Sequence, residues 1–206
     1  MYKRIILKLS GETLAPDASK PDAPRGVFDA QRVDAAAEMI LKLQARGIQV
    51  GVVIGGGNIW RGRFTKEMNG ANADQMGMLA TIINALCVQD AITRKGGRAV
   101  VFSAQEMNRF TRLYTRSAEL DADAIFKGTT VEGVYDSDPR TNPNAKLLKD
   151  VSYAEAVEKR LHVMDITAFV LCQEQHVPEI RVFSMENLDN ILKVADGEPI
   201  GTRVHE

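Results

Sequence analysis

Two cysteines, three histidines and almost no net charge leave several classes of function with little support in this chain of 206 residues. Cys87 and Cys172 both lie in apolar, helix-like contexts without the spacing of metal ligands, and the N-terminus shows no signal-peptide pattern. The expectation is a reduced cytoplasmic protein. With 26 Lys and Arg against 27 Asp and Glu, the chain has no general basic field, so small anions rather than nucleic acid are the expected ligands. No apolar run approaches the ~20 residues that span a bilayer, and no membrane role is expected. His162, His176 and His205 are scattered and receive no role. Repeats, low-complexity tracts and linker-like stretches are missing too, so the chain reads as one domain, which at this length buries about 70% of its unfolded surface.

What is present is an alternation of short apolar runs and helix-period segments. Strand-like runs recur at Arg4–Leu9, Ile48–Ile54, Arg98–Ser103, Ala124–Lys127 and Ile180–Ser184. The pattern predicts an α/β fold with a mainly parallel, doubly covered sheet. A first helix is expected from near Asp29 to Gly47, with Val33, Ala36, Ala37, Ile40 and Leu41 on one face. A second is expected from Asp74, burying Met78, Leu79, Ile82, Ile83 and Leu86 before Gly96-Gly97, and others at Tyr153–Arg160, Asp165–His176 and Asn187–Ala195. Met76, Met78 and Met164 are expected to fill core gaps. Ala15–Gly26, with three of the seven prolines, and Asp136–Ala145, with two, read as polar loops.

The chemistry gathers at two strand ends. The apolar run Gly51–Ile54 breaks into Gly55-Gly56-Gly57, followed by Asn58 and Arg61. Three residues without a Cβ let backbone N–H groups approach an anion, and the arginine adds charge. Upstream, the apolar strand Arg4–Leu9 runs into Lys8, Ser10 and Gly11. The spacing Gly-x4-Gly-Lys-Ser/Thr is absent, so this is not a Walker A loop, and the lysine lies inside the strand end, where its ammonium would be directed at phosphates. Two such loops suggest two phosphorylated ligands, with tight structural turns as the alternative.

In order along the chain, Tyr2–Glu12 (YKRIILKLSGE), Gly47–Gly62 (GIQVGVVIGGGNIWRG), Asp74–Thr81 (DQMGMLAT), Thr129–Pro139 (TTVEGVYDSDP), Val163–Phe169 (VMDITAF), Ile180–Ser184 and Gly201–Thr202 resemble the amino acid kinase family, and within it the bacterial uridylate kinase branch. The resemblance implies a three-layer αβα sandwich with residues 1–116 as an acceptor-side lobe and 117–206 as an ATP-side lobe. It implies transfer of the ATP γ-phosphoryl group to UMP, with Mg²⁺ bridging phosphate oxygens largely through water and no protein residues assigned to the metal. By the same carry-over Lys8 neutralises charge on the moving phosphoryl group, and Lys8, Leu9, Ser10, Gly11, Gly57, Arg61, Thr129, Tyr135 and Asp138 contact ATP. Gly56 and Asp74 match UMP positions. A homohexamer with GTP and UTP as effectors is implied as well. From the residues alone, Asp74 is equally a helix N-cap, Tyr135 a core-edge aromatic, and Asp138-Pro139 a turn.

Two departures stand out. Relatives carry a further strand and a Gly-Thr-Gly-Asn-Pro-Phe-Phe-Thr-Thr-Asp-like loop over the acceptor, whereas here Tyr114-Thr-Arg116-Ser-Ala-Glu-Leu120 runs directly into Asp121. Either the polypeptide has a loop that these residues pass over, which the abrupt join between two matching regions favours, or the chain is truly shortened. Thr130 also stands where many relatives have lysine. The rival functions are a sibling kinase with another acceptor and a non-catalytic nucleotide or oxyanion binder.

Overall fold

Strict alternation sets the first strand. In β1 (Arg4–Leu9), Ile5, Leu7 and Leu9 are almost fully buried while Lys8 on the other face is exposed. Each such apolar side chain contributes about 1.5–3 kcal/mol of burial. The structure, a computed structural model, describes residues 2–17, 26–61, 68–107, 109–114, 121–161, 166–174 and 176–206. Most of the expected Ala15–Gly26 loop, Gly62, residues 115–120, His162, Met164 and the start of the Val163–Phe169 motif lie outside them.

After β1 come a 3₁₀ turn (Gly11–Leu14), α1 (Ala30–Ala45), β2 (Gln49–Ile54), α2 (Gly70–Arg94), β3 (Phe102–Ser103) and β4 (Arg112–Leu113). There follow β5 (Ala124–Thr129), β6 (Val134–Tyr135), β7 (Leu147–Leu148), β8 (Asp150–Ser152), α3 (Tyr153–Glu158), α4 (Ile166–Glu174), β9 (Glu179–Ser184), α5 (Asp189–Ala195) and β10 (Thr202–His205). Six strands form one sheet in the order β2-β1-β5-β9-β10-β8. The β1–β5, β5–β9 and β10–β8 pairs are parallel and β9–β10 is antiparallel, so the architecture is the expected α/β sandwich on a mainly parallel sheet.

The chain forms two compact units: Met1–Lys8, Leu43–Val52 and Asp121–Glu206 make the first, and Leu9–Lys42 with Val53–Leu120 the second. In the first, β9 is buried along nearly its whole length, as a central strand must be. Ile180, Val182, Val204, Val151, Tyr153 and Phe169 pack into one core. On the opposite face of β9, Phe126 meets Tyr2 and Phe183 edge-to-face, at centroid distances of 5.2 and 5.9 Å. A reciprocal pair of hydrogen bonds between Ser152 and Glu155 starts α3.

In the second unit, Asp29 Oδ1 accepts from the N–H groups of Gln31 and Arg32 and so starts α1, which buries Val33, Ala36, Ala37 and Ile40 as expected. The start of α2 differs from the expectation. The helix begins at Gly70, capped by Asn69, whose Oδ1 accepts from Ala71 N–H at 2.9 Å; Asp74 therefore lies inside the helix and is not its N-cap. Its buried face also differs in part: Ile82 is covered as expected, and Ala80, Asn84, Val88 and Ala91 with it, whereas Met76, Met78, Leu79 and Ile83 are 38–47% exposed. By length and composition, α2 is also the one helix among the described residues apolar enough to cross a bilayer.

Other boundaries are corrected for local reasons. Only Phe102–Ser103 of the expected Arg98–Ser103 strand pairs, with β4, in a separate two-stranded sheet. The third helix stops at Glu158 rather than Arg160, whose φ of 47° is left-handed, and the last starts at Asp189 rather than Asn187.

Candidate active site

The second unit brings the two glycine loops into contact. Ser10, extended at φ −73° and ψ 142°, caps the 3₁₀ turn by accepting from Glu12 N–H at 3.4 Å. Gly11 follows, buried, with no room for a side chain: a Cβ there would lie 2.6 Å from the Gly55 carbonyl oxygen and 2.8 Å from Asn84 Nδ2, and closer still to Asn58 Oδ1. Gly55 N–H donates to the Leu9 carbonyl at 3.0 Å, holding the start of the second loop at the end of β1.

The second loop turns at once. The Gly56 carbonyl accepts from both Ile59 and Trp60 N–H at 3.0 Å, and Trp60 Nε1 donates to the Ala73 carbonyl of α2 at 3.0 Å. Gly56 lies directly on α2, where a Cβ would sit 2.8 Å from that of Ala80, so glycine is required by close packing. Such a tight turn leaves its leading N–H groups without carbonyls to meet. Among the described residues no acceptor engages the N–H groups of Gly56, Gly57 or Asn58, which remain available to an anion. Arg61 closes the loop: its Nε donates to the Gly57 carbonyl at 2.9 Å and its guanidinium pairs with Glu12. Asp74, the other expected acceptor-side residue, is exposed on the early turns of α2.

Sequence reasoning missed Asn84. It sits in the middle of α2, fully buried, with Nδ2 donating to the Gly55 carbonyl at 2.6 Å and to Asn58 Oδ1 at 2.7 Å. Its own Oδ1 accepts from Asn58 Nδ2 at 3.2 Å, and that nitrogen also donates to the Val27 carbonyl at 3.2 Å. The available signal was one amide inside the run Ile82-Ile83-Asn84-Ala85-Leu86, since a buried carboxamide in an apolar helix demands partners.

In the first unit, Lys8 lies opposite Lys127 in the β1–β5 register, exposed at the strand's end. Thr129 ends β5; its carbonyl accepts from Met185 N–H at 2.8 Å and its Oγ1 from Val131 N–H at 3.4 Å. The Tyr135 hydroxyl donates to Glu132 Oε2 at 3.3 Å, and burial, with that carboxylate beside it, holds the phenol above its ordinary value. Asp138 is engaged by Arg140 through the backbone N–H at 3.0 Å, Nε at 3.1 Å and a terminal nitrogen at 3.0 Å, while its carbonyl accepts from Thr141 and Asn142. The turn expected at Asp138-Pro139 is thus present. Among the described residues no group of three His, Cys, Asp or Glu side chains is placed to hold a metal.

The model of the amino acid kinase family matches residues 3–118 and 114–184. A solved UMP kinase from Bacillus anthracis is 29% identical with a TM-score of 0.89, covering 99% of this chain and 96% of its own. One from Ureaplasma parvum is 30% identical with a TM-score of 0.88, and the match covers 100% of both chains. A uridylate kinase from Archaeoglobus fulgidus, at 21% identity and a TM-score of 0.68 over 97% of this chain and 99% of its own, shares the fold.

Proposed function

The chain belongs to the amino acid kinase family, and from that premise we propose that it transfers the γ-phosphoryl group of ATP to UMP, giving UDP and ADP. The observation that carries this reading is the contact of Gly11 with Gly55 and Asn58, which sets two phosphate-competent loops side by side with open N–H groups. The similarity to UMP kinases of two bacteria, 29% and 30% identical over almost the whole chain, supports UMP as the acceptor.

A UMP phosphate oxygen is already an anionic nucleophile, so no general base is needed. It forms the new P–O bond as the bond between γ-phosphorus and the β–γ bridging oxygen breaks, and ADP leaves. Catalysis then reduces to alignment and charge neutralisation. Lys8 neutralises the equatorial oxygens of the moving group. The backbone of Leu9, Ser10, Gly11 and Gly57, with Arg61, holds ATP phosphates. Thr129, Tyr135 and Asp138 complete the ATP contacts, while Gly56 and Asp74 hold UMP. Mg²⁺, held by the nucleotide phosphates, would supply charge screening of those phosphates when bound. A cytoplasmic homohexamer, with GTP and UTP as effectors, completes the reading.

A second reading is a nucleotide-binding protein that does not transfer phosphate, favoured by the direct run from Tyr114 to Asp121 where relatives carry an acceptor loop. The test is UMP-dependent ADP release, with a panel of other acceptors alongside. Release with UMP preferred supports the kinase; tight MgATP binding without release supports the second reading; preference for another acceptor points to a sibling kinase.

A further inference from the structure

We infer that Asn84 is a positioning residue for phosphoryl transfer: from α2, and without touching either nucleotide, it fixes the Gly55–Asn58 loop against Gly11. The inference rests on the kinase reading above. Helix α2 fixes the Asn84 backbone, and complete burial leaves its carboxamide no water to exchange with. Both Nδ2 hydrogens are used, one on the Gly55 carbonyl and one on Asn58 Oδ1, and Asn58 returns a hydrogen bond to Asn84 Oδ1. Gly55 is therefore held from both sides, by β1 through its N–H and by α2 through its carbonyl. Asn58 is held at one end by Asn84 and at the other by the Val27 carbonyl.

Between these anchors lie the N–H groups of Gly56, Gly57 and Asn58. The loop cannot advance toward the first glycine turn, because Gly11 already lies against the Gly55 carbonyl and both asparagine side chains. It cannot retreat without breaking the amide pair. A single carboxamide thus sets the spacing of the two loops, and in-line transfer is sensitive to displacements of about 1 Å. A fully apolar residue at position 84 would fill the helix equally well but would leave the Gly55 carbonyl and Asn58 Oδ1 without the Asn84 donor.

The test compares wild type with Asn84→Ala, the near-isosteric Asn84→Asp, Asn58→Ala and the Asn58/Asn84 double alanine variant. The readouts are hydrogen exchange, MgATP affinity and UMP-dependent turnover. Expected are faster exchange within Gly55–Trp60 at the hydrogen-bonded amides of Gly55, Ile59 and Trp60, with β5 and β9 as protected as in wild type, and a roughly 10- to 100-fold fall in kcat/KM. The double variant should lose less than the sum of the two single losses, because both changes break the shared amide pair. Should Asn84→Ala fail to fold, Asn84→Asp and Asn58→Ala carry the same comparison. Unchanged exchange at Gly55–Trp60, turnover at the wild-type level despite faster exchange, or additive losses in the double variant would overturn the inference. If wild type itself transfers nothing, the kinase reading falls, and exchange together with MgATP affinity still decides for or against Asn84.

Discussion

Arg61 pairs with the carboxylate of Glu12 while its Nε donates to the Gly57 carbonyl, so one side chain ties the first glycine turn to the second. The two partners are 37% and 45% exposed, and a pair at that exposure contributes about 0–1 kcal/mol to stability. Arg61→Ala should therefore move Tm by no more than about 4 °C. In the proposed reaction Arg61 holds an ATP phosphate, so the KM for MgATP should rise roughly tenfold. Calorimetry and steady-state kinetics on the same preparation check both halves.

In the proposed reaction Lys8 neutralises charge on the moving phosphoryl group, so Lys8→Ala should lower UMP-dependent ADP release by on the order of 10³-fold or more. Lys8 is exposed, so circular dichroism and Tm should match wild type. Turnover retained by the alanine variant would remove Lys8 from the mechanism.

Gly11→Ala tests the contact of the two loops directly. The added methyl group has the backbone carbonyl of Gly55 at 2.6 Å and the Asn84 amide, held by its own hydrogen bonds, at 2.8 Å. Overpacking at such a site costs about 1–3 kcal/mol. Denaturant unfolding should show that loss, together with a fall in activity larger than the stability change explains.

The pH dependence of stability should carry two limbs from the Tyr2–Glu179 contact. Burial acts to raise the Glu179 carboxyl, but hydrogen bonds from Tyr2 and Arg203 outweigh it and hold the group below its ordinary 4.5. In acid the unfolded chain binds this proton first, so the stabilisation is present above pH 4.5 and is lost as pH falls through the lower folded value. Tyr2 is pushed from 10.0 up to about 12 by burial and by Glu179, so its contribution is present below pH 10 and disappears as pH rises toward 12. Glu179→Gln should flatten the acid limb and Tyr2→Phe the alkaline one, in urea titrations run across pH.

The intact mass of the purified protein decides between the two readings of the join after Tyr114. A mass several kilodaltons above 22.7 kDa means that an acceptor loop belongs to the polypeptide, and UMP turnover is expected. A mass of 22.7 kDa means a shortened acceptor side, with MgATP binding and little turnover expected.

Strands β1, β2, β5 and β9 were legible in the sequence because each is a run of six residues with an apolar face or core, and the strand period needs no distant information. Strands β6, β7 and β8 were not, since two or three residues carry no period, and β10 shows itself only through its pairing with β8 and β9. The start of α2 was missed because Gly70-Ala-Asn-Ala lacks an apolar stripe, and the cap that decides it, Asn69, is a common loop residue.

Of the candidate site, the sequence by itself determined where glycine, lysine and arginine fall at two strand ends, and through its order of motifs the family. These are local facts: a residue type at a spacing. Only the tertiary structure decided that Gly11 lies against Gly55 and Asn58, that Arg61 reaches back to Glu12, and that Met76, Leu79 and Ile83 face outward while Asn84 is buried. Side chains of α2 only a few positions apart in one uncharged run receive opposite environments because burial depends on what packs against each face of a helix, and an apolar stripe does not specify its cover. The same holds for the amide pair, which joins residues 26 positions apart and exists only once α2 and the glycine loop have met.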